Sequence, residues 1–262
     1  MSYRSNVSCP LCQAQPLIAY WPNLKFSKCT SCGLVFRNPM PSYEELQALY
    51  EHSWKHPEHH QEETGGTTLE LARTYTRKLL SSLGRSDFSG TKVLDFGAGR
   101  GMMLRVLSEV GACVIGVEPF GFEKLKKQGF QAYQSLEEVA DKDFDGIITI
   151  DVIEHLFNPW ATLRELHKIL KPGGWIHVAT PNVGGLNAKF SQENWGEARK
   201  AGHLVFFDSR SIELMFQKCG FSRIKRLHWK IRYTRSPFKS IFHYALQYAG
   251  WDGELRYLAW KM

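Results

Sequence analysis

Four of the six cysteines fall near the N-terminus, in the pattern Cys9-x2-Cys12-x16-Cys29-x2-Cys32. Two residues between a pair of thiolates allow a tight turn that presents both sulfur atoms to one cation, and two such pairs complete a tetrahedral shell. Four thiolates leave no coordination position for water, so the pattern predicts a structural zinc site and not a catalytic one. Two disulfides, or four buried thiols without a metal, are the alternatives.

A second group of residues suited to chemistry lies between residues 92 and 118. The apolar stretch at 92–96 predicts a buried strand, which runs directly into Gly97-Ala98-Gly99-Arg100-Gly101. A helix predicted over 102–110 and a second strand over 113–117 follow, and Glu118 comes at the end of that strand. This order is the nucleotide-binding half of a doubly wound α/β sheet. Glycines let the backbone approach a ligand closely, and the terminal acid can bind two ribose hydroxyls.

Asp95 indicates which kind of nucleotide this turn would bind. It precedes the first glycine by two residues. A pyrophosphate at the N-terminus of a helix is disfavoured by a nearby carboxylate, whereas a cofactor with an amino-acid ammonium group is favoured by one. The chain also lacks a Gly-Lys-Ser/Thr phosphate-binding loop, which argues against hydrolysis of nucleoside triphosphates.

Several motifs in order carry a resemblance to a known family. They are VLDFGAGRG (93–101), Glu118, FDGIITIDVIEHL (144–156), LKPGG (170–174), TPN (180–182) and HLVFFDSRSIELMFQKCGF (203–221). Together they resemble the class I S-adenosylmethionine-dependent methyltransferases. The resemblance implies an α/β, Rossmann-like sheet, here with a small N-terminal zinc ribbon, and S-adenosylmethionine as cofactor. The cysteine segment with CGLVFRNPMPSYEELQALY (32–50) is similar to the start of bacterial surface-polysaccharide and natural-product methyltransferases.

The resemblance also assigns roles to individual residues. Asp95 and the glycine-rich turn would hold the methionine part of the cofactor, and Glu118 would bind the ribose diol. Residues after the second and third strands would cover and read the adenine, and residues after the fourth would flank the methionine part near the acceptor. The expected cofactor-binding residues are Asp95, Gly97, Ala98, Gly99, Gly101, Glu118, Pro119, Gln134, Asp151 and Val152.

The expected catalytic residues follow the fourth strand. Methyl transfer to an oxygen usually needs a base, and His155 is the candidate, with Glu154 able to orient it. A histidine that only bonds to the backbone is the alternative reading of His155. In a further alternative, Asp151-x-x-Glu154-His155 resembles the arrangement by which some RNA-terminal and quinone-precursor O-methyltransferases hold a divalent ion. His203 would complete that set of ligands.

The chain divides into three predicted parts. These are the zinc ribbon at 1–42, a helical linker or lid at 43–90, and the S-adenosylmethionine-binding methyltransferase domain at 91–262. Ser42 with Glu45 forms a capping-box pattern that predicts a helix over 43–50, and apolar spacing predicts another over 69–83. The polar, histidine-rich stretch at 51–68 is interpreted as part of the lid, with a second metal site as the alternative.

Positive charge is concentrated near the C-terminus. Residues 221–262 contain nine basic and two acidic side chains, an excess equal to the net charge of +7 for the whole chain. Such an excess favours an anionic partner. Within it, apolar spacing predicts an amphipathic helix over 238–249, between strands predicted at 223–231 and 254–260. Its basic neighbours, which could meet an acceptor, are Arg232, Arg235 and Lys239.

These patterns predict a methyltransferase that acts on a small-molecule or glycan acceptor, with a nucleotide-linked anion as one version. Direct in-line transfer to oxygen is the expected reaction. One alternative is a nucleic-acid (RNA) methyltransferase that grips phosphates with the ribbon and the basic region. It is not favoured, because basic residues are not interleaved along the ribbon. The other alternative is a non-catalytic cofactor-binding protein.

The composition limits the broad class of protein. Hydrophobic residues at 43% and charged residues at 23% are typical of a globular domain and argue against a disordered or disulfide-stapled chain. No window approaches about 18 consecutive apolar residues, so we expect no transmembrane segment. The first twenty residues contain no apolar core of a secretory signal, and we expect a cytoplasmic protein. The oligomeric state stays open.

Overall fold

The computed structural model describes residues 7–55, 69–229 and 245–262. Two predictions lie wholly or mostly outside these ranges. One is the histidine-rich stretch at 51–68, of which only the first five residues are described. The other is the helix expected over 238–249, together with its basic neighbours Arg232, Arg235 and Lys239.

Eleven strands are present in the described part of the chain. They are β1 (Leu17–Trp21), β2 (Phe26–Cys29), β3 (Val35–Arg37), β4 (Lys92–Phe96), β5 (Cys113–Val117), β6 (Gln131–Tyr133), β7 (Phe144–Ile150), β8 (Leu170–Pro181), β9 (Val205–Phe206), β10 (Arg223–Arg226) and β11 (Glu254–Trp260). Seven of them form one sheet in the order β10-β11-β8-β7-β4-β5-β6, and the other four form a small sheet in the order β1-β2-β3-β9.

Besides a helical stretch at 245–248, eight helices with assigned bounds alternate with these strands in the same ranges. They are α1 (Tyr43–Lys55), α2 (Leu69–Leu83), α3 (Met102–Glu109), α4 (Phe122–Lys127), α5 (Pro159–Ile169), α6 (Leu186–Ser191), α7 (Gly196–Arg199) and α8 (Ser209–Lys218). Short 3-10 turns occupy Pro22–Leu24, Ile153–His155 and Gln192–Asn194.

The large sheet confirms the predicted Rossmann-like α/β fold. Strands β4, β5, β6, β7 and β8 run parallel, and β11 and β10 complete the sheet with antiparallel pairs. The parallel strands therefore end at one edge, which is where ligands bind in open α/β sheets. The residues that end β4, β5, β7 and β8 at this carboxyl edge are Phe96, Val117, Ile150 and Pro181.

Apolar side chains cover both faces of the large sheet. One buried cluster joins Leu94 of β4 to Leu163 of α5 and Met215 of α8. The other joins Val93, the neighbour of Leu94, to Tyr75 of α2. Because successive strand residues point to opposite faces, this alternation explains why each face of β4 receives its own layer of helices.

Polar caps determine where the helices on this framework begin. The side chain of Asn158 accepts a hydrogen bond from the Ala161 amide at 2.9 Å and starts α5. Asp208 and Ser211 form a reciprocal capping box at the start of α8. The predicted capping box of Ser42 and Glu45 is also present, with both bonds formed. Each cap satisfies amides that the first helical turn leaves without partners.

The small sheet joins the cysteine-rich N-terminal segment to the rest of the chain. Its strands β1, β2 and β3 form an antiparallel ribbon, and β3 pairs with β9, in which Val35 lies opposite Phe206. Behind the ribbon, the ring of Trp21 packs at 5.9 Å from Trp195 and 5.8 Å from Phe206. The predicted boundary at residue 42 therefore separates two parts that share a sheet and an aromatic core.

Candidate active site

The glycine-rich turn after β4 lies tightly against the end of β7. The amides of Gly97 and Ala98 both donate to the Val117 carbonyl, at 2.8 and 3.0 Å. Gly97 has φ +81°, and a Cβ atom there would lie 2.3 Å from Cγ2 of Val152. A side chain at this position would be strained and would collide with Val152, so glycine is required for the turn to approach β7.

Glu118 connects this turn to the segment after β5. One carboxylate oxygen accepts from the Gly99 amide at 2.8 Å, and the other accepts from the Phe120 amide at 3.2 Å. The side chain is 7% exposed, and burial raises its pKa, although the bonds from Phe120 and Gly99 act in the opposite direction. Each oxygen keeps a second lone pair, so the carboxylate can hold a diol without losing these bonds.

Asp95 is the residue that tests whether this part of the site fits a cationic ligand. The side chain is 4% exposed, and its Oδ2 atom has no hydrogen-bond partner. Burial first, and then the Glu118 carboxylate, raise its pKa to about 7. A buried carboxylate without a partner is costly unless a ligand supplies the missing donor. An ammonium group fits this requirement, so the residues present are compatible with an amino-acid-bearing cofactor.

The other expected cofactor residues lie around the same edge. Gly101 has φ +81° and caps α3, while Pro119 and Gln134 are exposed at the ends of β5 and β6. Asp151 follows β7 with φ +54°, a left-handed conformation that is uncommon for a residue with a side chain. The residue as a whole is exposed, but desolvation of its carboxyl group by the surrounding protein, and then the carboxylates of Glu254 and Glu197, raise its pKa to about 7.

His155 lies in a triangle of polar atoms just beyond β7. Its Nδ1 atom is 2.7 Å from the hydroxyl of Tyr50 and 3.0 Å from the carbonyl oxygen of Gly202. The same hydroxyl donates to the Gly202 carbonyl at 3.2 Å. Because a carbonyl oxygen only accepts, the 3.0 Å contact is favourable when Nδ1 carries a proton. We therefore assign the proton of neutral His155 to Nδ1, which places the lone pair on Nε2.

Glu154 and His203 lie beside His155. Ligand atoms of the three residues fall within 4.8 Å of one another, and the two imidazole rings meet edge to face with centroids 4.5 Å apart. Glu154 is fully buried; one carboxylate oxygen accepts from Thr180 at 2.9 Å and the other has no partner. Burial, and then Asp151, raise its pKa well above the usual range, while burial lowers that of His203. Two imidazoles and a carboxylate suit a divalent transition metal.

The four N-terminal cysteines form a separate cluster away from this edge. Their sulfur atoms lie within 4.8 Å of one another, with Cys9 and Cys32 3.6 Å apart and Cys12 and Cys29 3.5 Å apart. A disulfide would need about 2.05 Å. A zinc ion with bonds of about 2.3 Å to four sulfurs would separate them by about 3.8 Å. The geometry thus fits a tetrahedral metal and favours it over the disulfide alternative.

A comparison with known families decides what this framework is. A family profile described as a methyltransferase domain matches residues 68–225, which is more than half of the chain. The chain belongs to the class I S-adenosylmethionine-dependent methyltransferases. The matched region contains Asp95, the glycine-rich turn, Glu118 and the Glu154–His155–His203 cluster, and it leaves the cysteine-rich segment outside.

Curated relatives of this methyltransferase include enzymes named as O-methyltransferases. The ubiquinone biosynthesis O-methyltransferase of Dinoroseobacter shibae is 29% identical over 126 residues, which cover 44% of this chain and 50% of that protein. The mitochondrial enzyme of the same name from Homo sapiens is 25% identical over 177 residues, covering 60% and 47%. The chain therefore spans about half the length of the curated relatives it matches.

Solved structures of other methyltransferases share the fold. An S-adenosylmethionine-dependent methyltransferase from Archaeoglobus fulgidus superposes with a TM-score of 0.58 at 19% identity, covering 77% of this chain and 97% of that one. The 1,6-didemethyltoxoflavin-N1-methyltransferase of Burkholderia thailandensis gives 0.57 at 16% identity, covering 89% and 98%. At these identities the likeness supports the fold alone. None of the helices in the described residues has both the length and the apolar character of a membrane-spanning segment.

The sequence motifs did not indicate two neighbours of His155 in the candidate site. Tyr50 comes from α1, 105 residues before His155, and its ring also packs 5.7 Å from that of Phe120. Gly202 contributes only a carbonyl oxygen, which no side-chain pattern reveals. The capping box predicted the helix that contains Tyr50. The sequence did not indicate which surface of the protein that helix would cover.

Proposed function

We propose that this methyltransferase methylates an oxygen atom of a small-molecule or glycan acceptor. The observation that carries the proposal is the orientation of His155, whose Nδ1 proton is held by Gly202 and Tyr50 so that Nε2 can accept a proton. The relatives named as ubiquinone biosynthesis O-methyltransferases support oxygen as the accepting atom. S-adenosylmethionine, when bound, supplies an electrophilic methyl group, so the enzyme has mainly to orient the acceptor and exclude water.

The proposed roles divide the carboxyl edge into two halves. Asp95 and Glu118, with the amides of the glycine-rich turn, bind the cofactor through its ammonium group and ribose diol. His155 takes the proton of the acceptor hydroxyl at Nε2 as the oxygen becomes a nucleophile. Glu154 precedes His155 in the same turn, and its buried side chain is hydrogen-bonded to Thr180. The backbone carbonyl of Glu154 accepts a 2.7 Å bond from the Leu204 amide, which fixes the turn that contains His155. A base so placed contributes about 10²- to 10⁴-fold to a rate.

An anionic acceptor is the substrate class we propose, with the basic C-terminal residues as its partners. Several of the nine basic side chains are already engaged within the fold. Arg226 bonds to Asp252 at 2.5 Å, Arg256 pairs with Glu254, and Lys261 donates to the Leu170 carbonyl at 2.6 Å. Recognition of an anion would therefore depend mainly on residues 230–239, in which four of the nine basic side chains lie.

A metal-assisted version of the same reaction is the second candidate. The cluster of Glu154, His155 and His203 favours it, because two of its buried polar atoms have no partner within the described structure. A divalent cation held there would bind the acceptor oxygen and favour its ionised form. Activity that requires added Mg²⁺, Mn²⁺ or Fe²⁺ after dialysis, and that is lost in His203→Ala, would support this candidate over a metal-free base.

Replacement of His155 tests the proposed function. An acceptor screen that measures release of S-adenosylhomocysteine identifies the substrate, and His155→Gln is then compared with the wild type. We expect kcat to fall by about 10²-fold or more, with the Kd of S-adenosylmethionine changed less than twofold. His167→Gln is the control, because His167 lies at the far end of α5, at the opposite edge of the sheet. A His155→Gln enzyme with unchanged kcat would remove the base from the proposal.

A further inference from the structure

Arg37 of the cysteine-rich N-terminal ribbon binds the loop from Lys200 to Leu204 through both its side chain and its backbone amide. The guanidinium of Arg37, on β3, donates to the carbonyl of His203 at 2.8 Å and to that of Lys200 at 3.2 Å. The Arg37 amide donates to the Leu204 carbonyl at 2.8 Å, and this bond adjoins the paired residues Phe36 of β3 and Val205 of β9. Because guanidinium donors have a fixed fork geometry, these bonds determine the position of the loop as well as its attachment.

Arg37 is itself fixed on the ribbon. A third donor of the guanidinium reaches the Leu24 carbonyl at 3.3 Å, and the cation lies 4.7 Å from the centre of the Phe26 ring. Burial lowers its pKa, yet an arginine stays charged at any physiological pH. The side chain therefore donates to backbone carbonyls of two segments, the ribbon at Leu24 and the loop at Lys200–Leu204. We call this set of bonds the Arg37 clamp.

The clamped loop carries the carbonyl that orients His155. Gly202 accepts from Nδ1 of His155 and from the hydroxyl of Tyr50. The contacts are close: a Cβ atom on Gly202 would lie 3.0 Å from the Tyr50 oxygen and 3.2 Å from Nδ1. The bonds themselves are 3.0 and 3.2 Å long, so an outward shift of the loop by about 0.5 Å would take them beyond hydrogen-bonding range.

The clamp is also connected to the cysteine cluster. The Cys29 amide donates to the Leu34 carbonyl, and the Gly33 amide donates to the Cys29 carbonyl, at 2.9 and 3.0 Å. These bonds link the second cysteine pair to β3 only a few residues before Arg37. A tetrahedral metal in the cluster would fix the same turn, since it would fasten both members of that pair.

We propose that Arg37 is a positioning residue, through which the ribbon fixes the Gly202 carbonyl and with it the tautomer and orientation of His155. The inference rests on the proposed role of His155 in methyl transfer. It assigns the N-terminal ribbon a direct part in the acceptor half of the site. Asp95 and Glu118, in the cofactor half, make no contact with this clamp among the interactions described above.

Substitutions of Arg37 and of Gly202 disturb the Gly202 carbonyl from opposite sides. Arg37→Gln removes the fork, Arg37→Lys keeps the charge with fewer fixed donors, and Gly202→Ala crowds Tyr50 and His155 while leaving the ribbon intact. For Arg37→Gln and Gly202→Ala we expect kcat to fall at least tenfold, with a smaller loss for Arg37→Lys. The Kd of S-adenosylmethionine and the zinc content should remain within twofold of wild type. Arg164→Gln, at an exposed position of α5, is the matched control.

Two readouts do not depend on turnover. Ring ¹⁵N shifts of His155 should indicate the Nδ1–H tautomer in the wild type and a mixture of tautomers in Arg37→Gln and Gly202→Ala. Amide hydrogen exchange in 200–206 should become at least tenfold faster in Arg37→Gln, and also in the wild type after removal of zinc by a chelator. A purely structural role of Arg37 would change exchange without changing the ring shifts.

The outcomes separate the inference from the function on which it rests. Unchanged kcat and unchanged His155 shifts in both variants would overturn the positioning role. Loss of cofactor binding in parallel with kcat would also overturn it, because the damage would then extend over the whole domain. The proposed function would instead be contradicted if the wild-type protein bound S-adenosylmethionine but transferred no methyl group to any acceptor. In that case the His155 ring shifts and the amide exchange rates would still test the positioning role of Arg37.

Discussion

Asp95 is expected to make cofactor binding depend on pH. Its carboxyl group is buried, and burial followed by the nearby Glu118 raises its pKa to about 7 from an ordinary 3.8. The unpartnered Oδ2 is the atom that we expect to meet the ammonium group of the cofactor. Only the ionised form of Asp95 offers a negative charge to that group, so a proton on Asp95 and the cofactor compete for the same site.

The size of the effect follows from this pKa. A carboxyl group with a pKa of about 7 is about nine-tenths protonated at pH 6 and about half protonated at pH 7. If only the ionised form binds, Kd is about fivefold larger at pH 6 than at pH 7, which corresponds to about 1 kcal/mol. Measurements should stay at or below about pH 7, because the α-amino group of the cofactor begins to lose its own proton near pH 8.

The same pKa changes the stability of the ligand-free protein in the opposite sense. Between the ordinary pKa of 3.8 and the native value of about 7, the folded state binds more protons than the unfolded chain. The free energy of unfolding therefore falls as the pH rises through this range. Asp95→Asn removes the ionised group, so we expect this variant to be more stable than wild type at pH 8, on the order of 1–3 kcal/mol.

Titration calorimetry with S-adenosylmethionine at pH 6 and pH 7 measures the first effect, and thermal unfolding at pH 8 measures the second. Wild type should show the fivefold change in Kd, and Asp95→Asn should bind weakly with no such change. Asp143→Asn is the control, since Asp143 is exposed. A wild-type affinity equal at the two pH values, or the same pH dependence in Asp95→Asn, would refute the reasoning from the buried carboxylate.

Two further predictions concern the metal and the ribose. Metal analysis after purification without chelators should give about one zinc per chain. Cys29→Ser should release the zinc, whereas the control Cys113→Ser, at an exposed thiol outside the cluster, should retain it. Retention of zinc by both variants would contradict the four-thiolate site. Glu118→Ala should weaken S-adenosylmethionine binding by about 2 kcal/mol, because a charge-assisted contact to the diol is lost, and calorimetry showing a change below about 0.5 kcal/mol would exclude that contact.

The elements of the large sheet were largely predictable because local patterns determine them. The predicted bounds of α2, β4, β5 and β11 agree with the structure, and α3 differs by one residue. The exception is β10, expected to reach residue 231 but ending at Arg226. Beyond it the chain turns toward α2, where the Trp229 indole donates to Ser82 at 3.1 Å. That contact is tertiary, so the apolar pattern, which continues past Arg226, could not predict it.

The candidate site was predictable where chemistry is carried by side chains in sequence motifs. The spacing of the four cysteines alone predicted that they form one cluster, and the motif after β7 predicted that Glu154 and His155 lie close together. The resemblance added His203, which lies within the same 4.8 Å cluster. Contacts that depend on backbone atoms or on distant docking were not predictable. The Gly202 carbonyl and Tyr50 belong to this class, as does β9, whose two residues are too short a strand to leave a pattern.

The two halves of the site depend on different parts of the fold, and this has a consequence for the N-terminal ribbon. Asp95 and Glu118 are held by β4, β5 and the turns between them, all within the large sheet. His155 is held by Gly202, on a loop that the ribbon clamps, and by Tyr50, from the helix that follows the ribbon. Damage to the ribbon should therefore impair methyl transfer before it impairs cofactor binding. Spacing alone predicts that the four cysteines stabilise only a small N-terminal segment. Under the proposal made here for Arg37, they also support the acceptor half of the site, because Cys29 bonds to the Leu34 carbonyl next to β3 and Arg37 of β3 binds the loop that contains Gly202.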